Sequence, residues 1–142
     1  MPAYESTVTI KGSRERIWTV IADVERWHEW TPTVTRIEAM GSGPMGLGAR
    51  FRVLQPKLRP AVWTVTNFRP AQGFTWESRN PGTRVVAEHS IHAANGNEFK
   101  VLLRVTFLGL FGVVVGMLFG GLTESYLAQE SVSLKRRVET PA

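Results

Sequence analysis

The periodicity of the chain changes near Gly112 from that of successive strands to that of one long helix, and this change limits the folds that the chain can adopt. Before Gly112, short runs alternate apolar and polar residues in the two-residue period of β-strands, and after it apolar residues recur at helical spacing. The clearest alternation follows the hairpin signal Asn95-Gly96-Asn97 and places on one face Phe99, Val101, Leu103, Val105 and Phe107. A series of strands closed by one long helix predicts an α+β fold on an antiparallel sheet.

The remaining elements follow from the same patterns. The chain opens with an alternating strand over residues 4–11, and Ser13 is a typical N-cap for an amphipathic helix over residues 13–23. A second short helix or turn runs to Trp30 and stops at Pro32. In total the pattern predicts about seven strands and a C-terminal helix at residues 112–138. The strands after the first are expected at residues 33–40, 49–55, 61–69, 73–79, 84–94 and 98–108.

Length and composition exclude several classes of protein. The 142 residues suit one domain over 1–142 with its core at 3–139, and the absence of Cys excludes disulfides and thiolate chemistry. Three His and no metal-ligand spacing lead us to expect no metal and no cofactor. The net charge of +5 is spread along the chain, so we expect no nucleic-acid partner. No secretory signal is visible, which predicts a cytoplasmic protein.

One uncharged run, from Val105 to Leu122, is long enough to raise the alternative of a membrane helix. The run begins inside the strand alternation, which predicts that the strand ends near Leu108 and the helix begins near Gly112. A membrane-associated protein that uses segment 109–122 stays open as an alternative. Apolar residues on every face of the early helix also favour weak membrane contact or a homodimer.

Four segments carry a resemblance to a known family. They are Val20-Ile21-Ala22-Asp23, the stretch from Trp27 to Val34, the strand start from Gly46 to Phe51, and the closing stretch from Leu134 to Glu139. With the element order, they resemble the START-like or Bet v 1-like superfamily (SRPBCC), in its polyketide cyclase/dehydrase and lipid-transport branch. The resemblance implies a helix-grip fold, with a curved sheet wrapped around the C-terminal helix. It also implies an apolar cavity between the two for a lipid, polyketide, sterol or similar hydrophobic molecule.

A stripe of small residues runs along the first half of the predicted C-terminal helix. Gly112, Gly116 and Gly120 repeat every four residues and continue into the stripe of Leu127, Ser131, Leu134 and Val138. Either the backbone approaches the sheet closely at these glycines, or the missing side chains leave a void for a ligand. The sequence leaves both alternatives open.

Alternation and helical spacing select the residues that would face the cavity. We predict that the ligand contacts Trp27, Trp30, Phe51, Val53, Thr64, Phe74, Trp76, Val85, Ala87, His89, Leu103, Val105, Val115, Leu118, Phe119, Leu122 and Tyr126. Binding, with transport as its extension, is the first hypothesis. The alternative is a polyketide aromatase/cyclase or dehydratase, in which a neutral His89 acts as base and Tyr126 as proton donor.

Overall fold

The computed structural model describes residues 2–140 and shows the predicted α+β architecture. Seven strands form one antiparallel sheet in the order β1-β7-β6-β5-β4-β3-β2, and a long helix crosses its concave face. The elements are β1 (Ala3–Lys11), α1 (Arg14–Ala22), a 3₁₀ helix (Val24–Glu29), β2 (Arg36–Ala39), β3 (Arg50–Leu54), β4 (Ala61–Arg69), β5 (Gly73–Asn80), β6 (Thr83–Ala93), β7 (Glu98–Leu108) and α2 (Gly112–Glu139). This arrangement confirms the helix-grip prediction.

Local sequence signals explain where two of these elements begin and end. The Oγ of Ser13 accepts a hydrogen bond from the backbone N–H of Arg16 at 3.0 Å, which caps α1 as its sequence predicts. The turn between β6 and β7 needs a residue with positive φ, and Gly96 supplies it at +60°. The β6–β7 hairpin that results contributes residues of both strands to the wall of the cavity.

The two halves of α2 contact the sheet differently. In the second half Leu127, Leu134 and Val138 are buried, and the hydroxyl of Ser131 lies 2.7 Å from that of Ser6 on β1. The second half therefore packs through side chains, as its amphipathic pattern predicts.

In the first half the backbone itself meets the sheet. A Cβ atom added at Gly116 would lie 2.8 Å from the Cγ of Pro2, and one at Gly120 would collide with the Tyr4 hydroxyl. That hydroxyl donates to the backbone carbonyl of Gly116 at 3.0 Å. Of the two alternatives that the sequence leaves open for the glycine stripe, the structure shows close approach at Gly116 and Gly120.

Strand β2 is shorter than the sequence suggests. We expected it over residues 33–40, but it spans only Arg36–Ala39. Thr33 is wholly buried and donates its hydroxyl to the carboxylate of Glu130 on α2, so the chain follows the helix here and joins the sheet later.

The uncharged run divides as its alternation predicts, with β7 ending at Leu108 and α2 beginning at Gly112. Within residues 2–140, no helix is long and apolar enough to cross a membrane.

Candidate functional site

A cavity of about 260 Å³ lies between the sheet and α2. Its walls come from β3 to β7, from the β3–β4 loop and from the first two-thirds of α2. Most of the lining is apolar and aromatic, with a few polar groups among it, which is the usual composition of a small-molecule site. The curvature of the sheet creates this space because one straight helix cannot fill the concave face along its whole length.

The inner end of the cavity is aromatic and contains His89. Its ring stacks on Phe74 with centroids 4.3 Å apart, and it meets Trp27 and Trp76 in edge-to-face contacts with centroids 5.4 Å and 6.0 Å apart. The Nδ1–H of His89 donates to the Phe74 carbonyl at 3.3 Å, which leaves Nε2 as the basic atom. Burial lowers the pKa of His89 from 6.5 to about 4, because an apolar environment disfavours the charged ring. His89 is therefore a neutral and weak base near pH 7.

A carboxyl group, that of Glu130 on α2, faces the same cavity. Its Oε1 accepts a hydrogen bond of 2.8 Å from the hydroxyl of Thr33, whose oxygen lies 2.9 Å from that of Thr31. Gln55 also donates to the carbonyl of Thr33 at 3.1 Å. Burial raises the pKa of Glu130 from 4.5 to about 7, and the hydrogen bond from Thr33 opposes this only in part. The cavity thus contains a carboxyl group that is largely neutral below pH 7.

The outer end of the cavity lies between α2, the β3–β4 loop and the turn that joins β5 to β6. Arg59, Asn80 and Phe119 line the cavity and are also exposed, so the cavity reaches the surface beside them. The hydroxyl of Tyr126 donates to the carbonyl of Pro56 and holds the loop against the helix. Its proton is engaged in that bond, which weakens the case for Tyr126 as a proton donor in catalysis.

An apolar stripe lies on the solvent side of α2, next to this opening. We define the apolar stripe as four exposed residues of the helix: Val113 (51%), Val114 (56%), Met117 (76%) and Leu118 (74%). Leu110 and Phe111 continue it into the preceding turn, with 86% and 53% of their surfaces exposed. The stripe lies opposite the glycine face because side chains four residues apart share a side of a helix.

Most of the predicted ligand-contacting residues lie on the cavity wall. The structure brings together there Trp27, Val53, Trp76, Val85, Ala87, His89, Leu103, Val105, Val115, Phe119, Leu122 and Tyr126. Their positions agree with the alternation on β6 and β7 and with the helical spacing on α2. Contact with a ligand stays a prediction for each of them.

Three predicted residues belong to the packed core behind the wall. Trp30 packs on Trp27 with ring centroids 5.7 Å apart, Phe51 lies 6.0 Å from Trp76, and Phe74 stacks under His89. None of the three lines the cavity, but each packs against a ring that does.

Two predicted residues face away from the cavity. Thr64 pairs with Arg50 and Glu77 on the neighbouring strands and shares the outer face of the sheet with them, while Trp63 lines the cavity. Both faces of β4 carry apolar residues, so alternation did not establish which face is inner. Leu118 lies in the apolar stripe because the glycine face, and not the largest side chains, meets the sheet.

The sequence reasoning missed the polar and loop-borne part of the lining. The unpredicted lining residues include Val34, Gln55, Leu58, Ser78, Asn80 and Glu130. Helical spacing was the one available signal for Glu130, which stands four residues after Tyr126 and three after Leu127. The loop residues carry no periodicity from which their position could be deduced.

Comparison with known proteins agrees with this geometry. Residues 1–139 match the family model described as polyketide cyclase/dehydrase and lipid transport. No curated protein matches the chain.

Several solved structures share the fold at low sequence identity. A protein of Thermobifida fusca superposes with a TM-score of 0.79 at 16% identity, covering 97% of this chain and 93% of its own. A hypothetical protein of Helicobacter pylori gives 0.82 at 11% identity, with 96% and 88% covered. The Zhui aromatase/cyclase of Streptomyces sp. R1128 gives 0.67 at 18% identity, with 96% and 90% covered. With the family model matching nearly its whole length, the chain belongs to the polyketide cyclase/dehydrase and lipid-transport family of the START-like superfamily.

Proposed function

We propose that this protein binds a hydrophobic small molecule, such as a lipid or polyketide, in the cavity between the sheet and α2. The observation that carries the proposal is an apolar cavity of about 260 Å³ that opens to solvent at one end. Small-molecule sites usually measure roughly 300–1,000 Å³, so this cavity suits a small ligand or a single hydrocarbon chain of a lipid. Membership of a family that includes lipid transport supports the same class of ligand.

Filling the cavity tests this proposal. Ala87 is buried and lines the cavity, whereas its neighbour Val86 points to the other face of β6. We expect Ala87→Leu to weaken binding of the apolar fluorophore Nile red by about tenfold or more, since a buried leucine displaces part of the ligand. Val86→Leu adds one methylene on the outer face and serves as the control.

Thermal unfolding establishes that both variants are folded. Wild-type protein that does not bind apolar probes, or an Ala87→Leu variant that binds them as tightly as wild type, would contradict the proposal.

Catalysis is the second candidate, and the position of His89 favours it. A neutral imidazole with a free Nε2 at the inner end of an apolar cavity has the form of a general base for cyclisation or dehydration. The structural likeness to an aromatase/cyclase supports this reading. Its weakness is basicity, because a pKa of about 4 lies far below the value near 7 that serves a base best.

The variant His89→Ala separates the two functions. If His89 only lines the cavity, affinity for Nile red stays within about tenfold of wild type. If His89 transfers a proton, turnover of a poly-β-ketone or enone substrate falls by about 10²–10⁴-fold while binding is kept. The second result would place catalysis ahead of binding.

The apolar stripe supports a third element of the proposal, exchange of the ligand at an anionic lipid surface. Lys57 and Arg59 are exposed on the β3–β4 loop, and in the described part of the chain neither forms an ion pair. Tyr126 fixes this loop beside α2, so cationic and apolar groups flank one opening. That combination suits docking on a negatively charged bilayer.

Flotation with vesicles of phosphatidylcholine and phosphatidylglycerol tests the docking. We expect co-flotation of wild type that weakens in high salt and is lost in Val113→Ser/Met117→Ser. Val132→Ser removes another exposed apolar side chain from the second half of the same helix and should float like wild type. A stripe that instead joins two copies would give a dimer that the double variant dissociates, and this result would contradict membrane docking.

A further inference from the structure

We propose that Glu130 is the polar anchor of the cavity and that it selects uncharged ligands carrying a hydrogen-bond-accepting oxygen, such as a ketone or ester. This inference rests on the proposed binding function and adds the chemical class of the ligand. It is drawn from the surroundings of the carboxyl group on α2.

Glu130 is half-buried on α2 and has no cationic partner among the described residues. In the range 2–140, no Lys, Arg or His forms an ion pair with it, and its one hydrogen bond comes from the neutral hydroxyl of Thr33. An uncompensated carboxylate in an apolar cavity is unfavourable, so the protonated form is favoured. A structural role alone does not require an acid at this position.

Among the described residues, only one carboxyl oxygen of Glu130 has a hydrogen-bond partner. The hydroxyl of Thr33 donates to Oε1, and the carbonyl of Thr33 accepts from Gln55, so the partner that fixes Oε1 is itself held in place. Glu130 also lines the cavity, so the rest of its carboxyl group is available to a ligand. A protonated carboxyl held in this way donates one hydrogen bond to an oxygen atom of the ligand.

Among the described residues, five other ionisable groups line the cavity. They are His89 and Glu88 from β6, Arg104 from β7, Arg59 from the β3–β4 loop and Tyr126 from α2 itself. The pKa of His89 is lowered to about 4 and that of Tyr126 is raised from its ordinary value of 10.0, so neither side chain changes state near pH 7. A change in ligand affinity centred near pH 7 would therefore report Glu130, whose pKa is about 7.

Competition against Nile red tests the selection with ligands of one chain length. Decane measures apolar binding alone, decanone adds an accepting oxygen, decanoate adds an anion and decylamine adds a cation. At about pH 5.5 we expect decanone to bind about three- to tenfold more tightly than decane, the contribution of one buried hydrogen bond. By about pH 8.5 this advantage should disappear, because the carboxylate no longer donates.

Three variants assign the effect to this side chain. Glu130→Gln keeps a donor without charge, so the advantage of decanone should become independent of pH, and Glu130→Leu should remove it at every pH. Thr33→Val removes the hydrogen bond that stabilises the charged form, so the midpoint of the pH dependence should move upward. A purely structural role of Thr33 would leave that midpoint unchanged.

Separate outcomes contradict the inference and the proposed function. If no probe binds, decane included, the binding function fails. If decane binds but decanone has no advantage, or keeps it in Glu130→Leu, the anchor role fails and binding stands. Tighter binding of decylamine or decanoate than of decanone at about pH 7 would also overturn selection of uncharged ligands.

Discussion

The first half of α2 allows a quantitative prediction, because Gly116 and Gly121 differ in the space beside their Cα atoms. A Cβ at Gly116 would lie 2.7 Å from the Cβ of Pro2 and 2.8 Å from its Cγ, closer than carbon atoms pack. A Cβ at Gly121 would meet no atom within 4 Å. Gly116→Ala and Gly121→Ala therefore make the same chemical change in a crowded and in an open position.

The expected effects follow from two terms. Alanine is favoured over glycine inside a helix by about 1 kcal/mol, and both variants gain this amount. Overpacking typically costs about 1–3 kcal/mol, and only Gly116→Ala incurs it. The difference in unfolding free energy between the variants is therefore about 1–3 kcal/mol, and the helix-propensity term cancels. For a domain of this length, that difference separates their melting temperatures by roughly 3–12 °C.

Urea and thermal unfolding followed by circular dichroism measure these values, and Nile red titration accompanies them. Gly116 faces Pro2 and Phe107, and neither Gly116 nor Gly121 lines the cavity, so neither variant should change the affinity for the probe. Equal stabilisation of both variants would show that the helix stands away from the sheet at Gly116. Loss of probe binding in Gly116→Ala would show that the glycine face borders the ligand, and either result would refute the close packing.

Three further predictions concern stability. The pKa of Glu130 is about 7 in the folded protein and 4.5 in the unfolded chain, so the free energy of unfolding should fall as the pH rises from 4.5 to 7. Above pH 7, Glu130→Gln should be more stable than wild type by up to about 3 kcal/mol, measured by urea unfolding. The pKa of His89 is about 4 in the folded protein and 6.5 in the unfolded chain, so the free energy of unfolding of wild type should fall by up to about 3 kcal/mol as the pH falls from 6.5 to 4. His89→Phe should show a smaller fall in the same assay. Ser13→Ala removes the cap of α1 and should lower the unfolding free energy by about 1 kcal/mol at any pH between 5 and 8, with an unchanged value contradicting the cap.

Elements with one clear periodicity could be predicted from the sequence. The alternation from Phe99 to Phe107 gave the bounds and the inner face of β7, and the change near Gly112 gave the start of α2. These predictions succeeded because one face of each element is buried, and a buried face requires apolar residues at regular intervals in the sequence.

Positions decided by contacts between distant segments could not be predicted. The apolar residues of the early helix surround it completely, so only the approach of Pro2 and Tyr4 to the glycines decides that Leu118 faces solvent. The position of Glu130 likewise depends on Thr33, which is 97 residues away in the chain. A lone glutamate in a helix has the same local signature whether it faces water or a cavity.

The unequal anchoring of α2 has a consequence for how the molecule moves. The first ten residues of the helix contain four glycines, and Phe111 before them offers no side-chain cap. The last turns are secured by buried Leu134 and by the ion pair between Arg137 and Glu29 at 2.8 Å. Local opening should therefore require little free energy in the first turns and nearly the global unfolding free energy in the last.

Amide hydrogen exchange along α2 should accordingly slow from its beginning to its end. The fast-exchanging turns are those beside the opening of the cavity. Under the proposed function, a ligand would enter and leave through fraying of one helix end while the sheet stays intact, so its residence time would be separate from the lifetime of the fold.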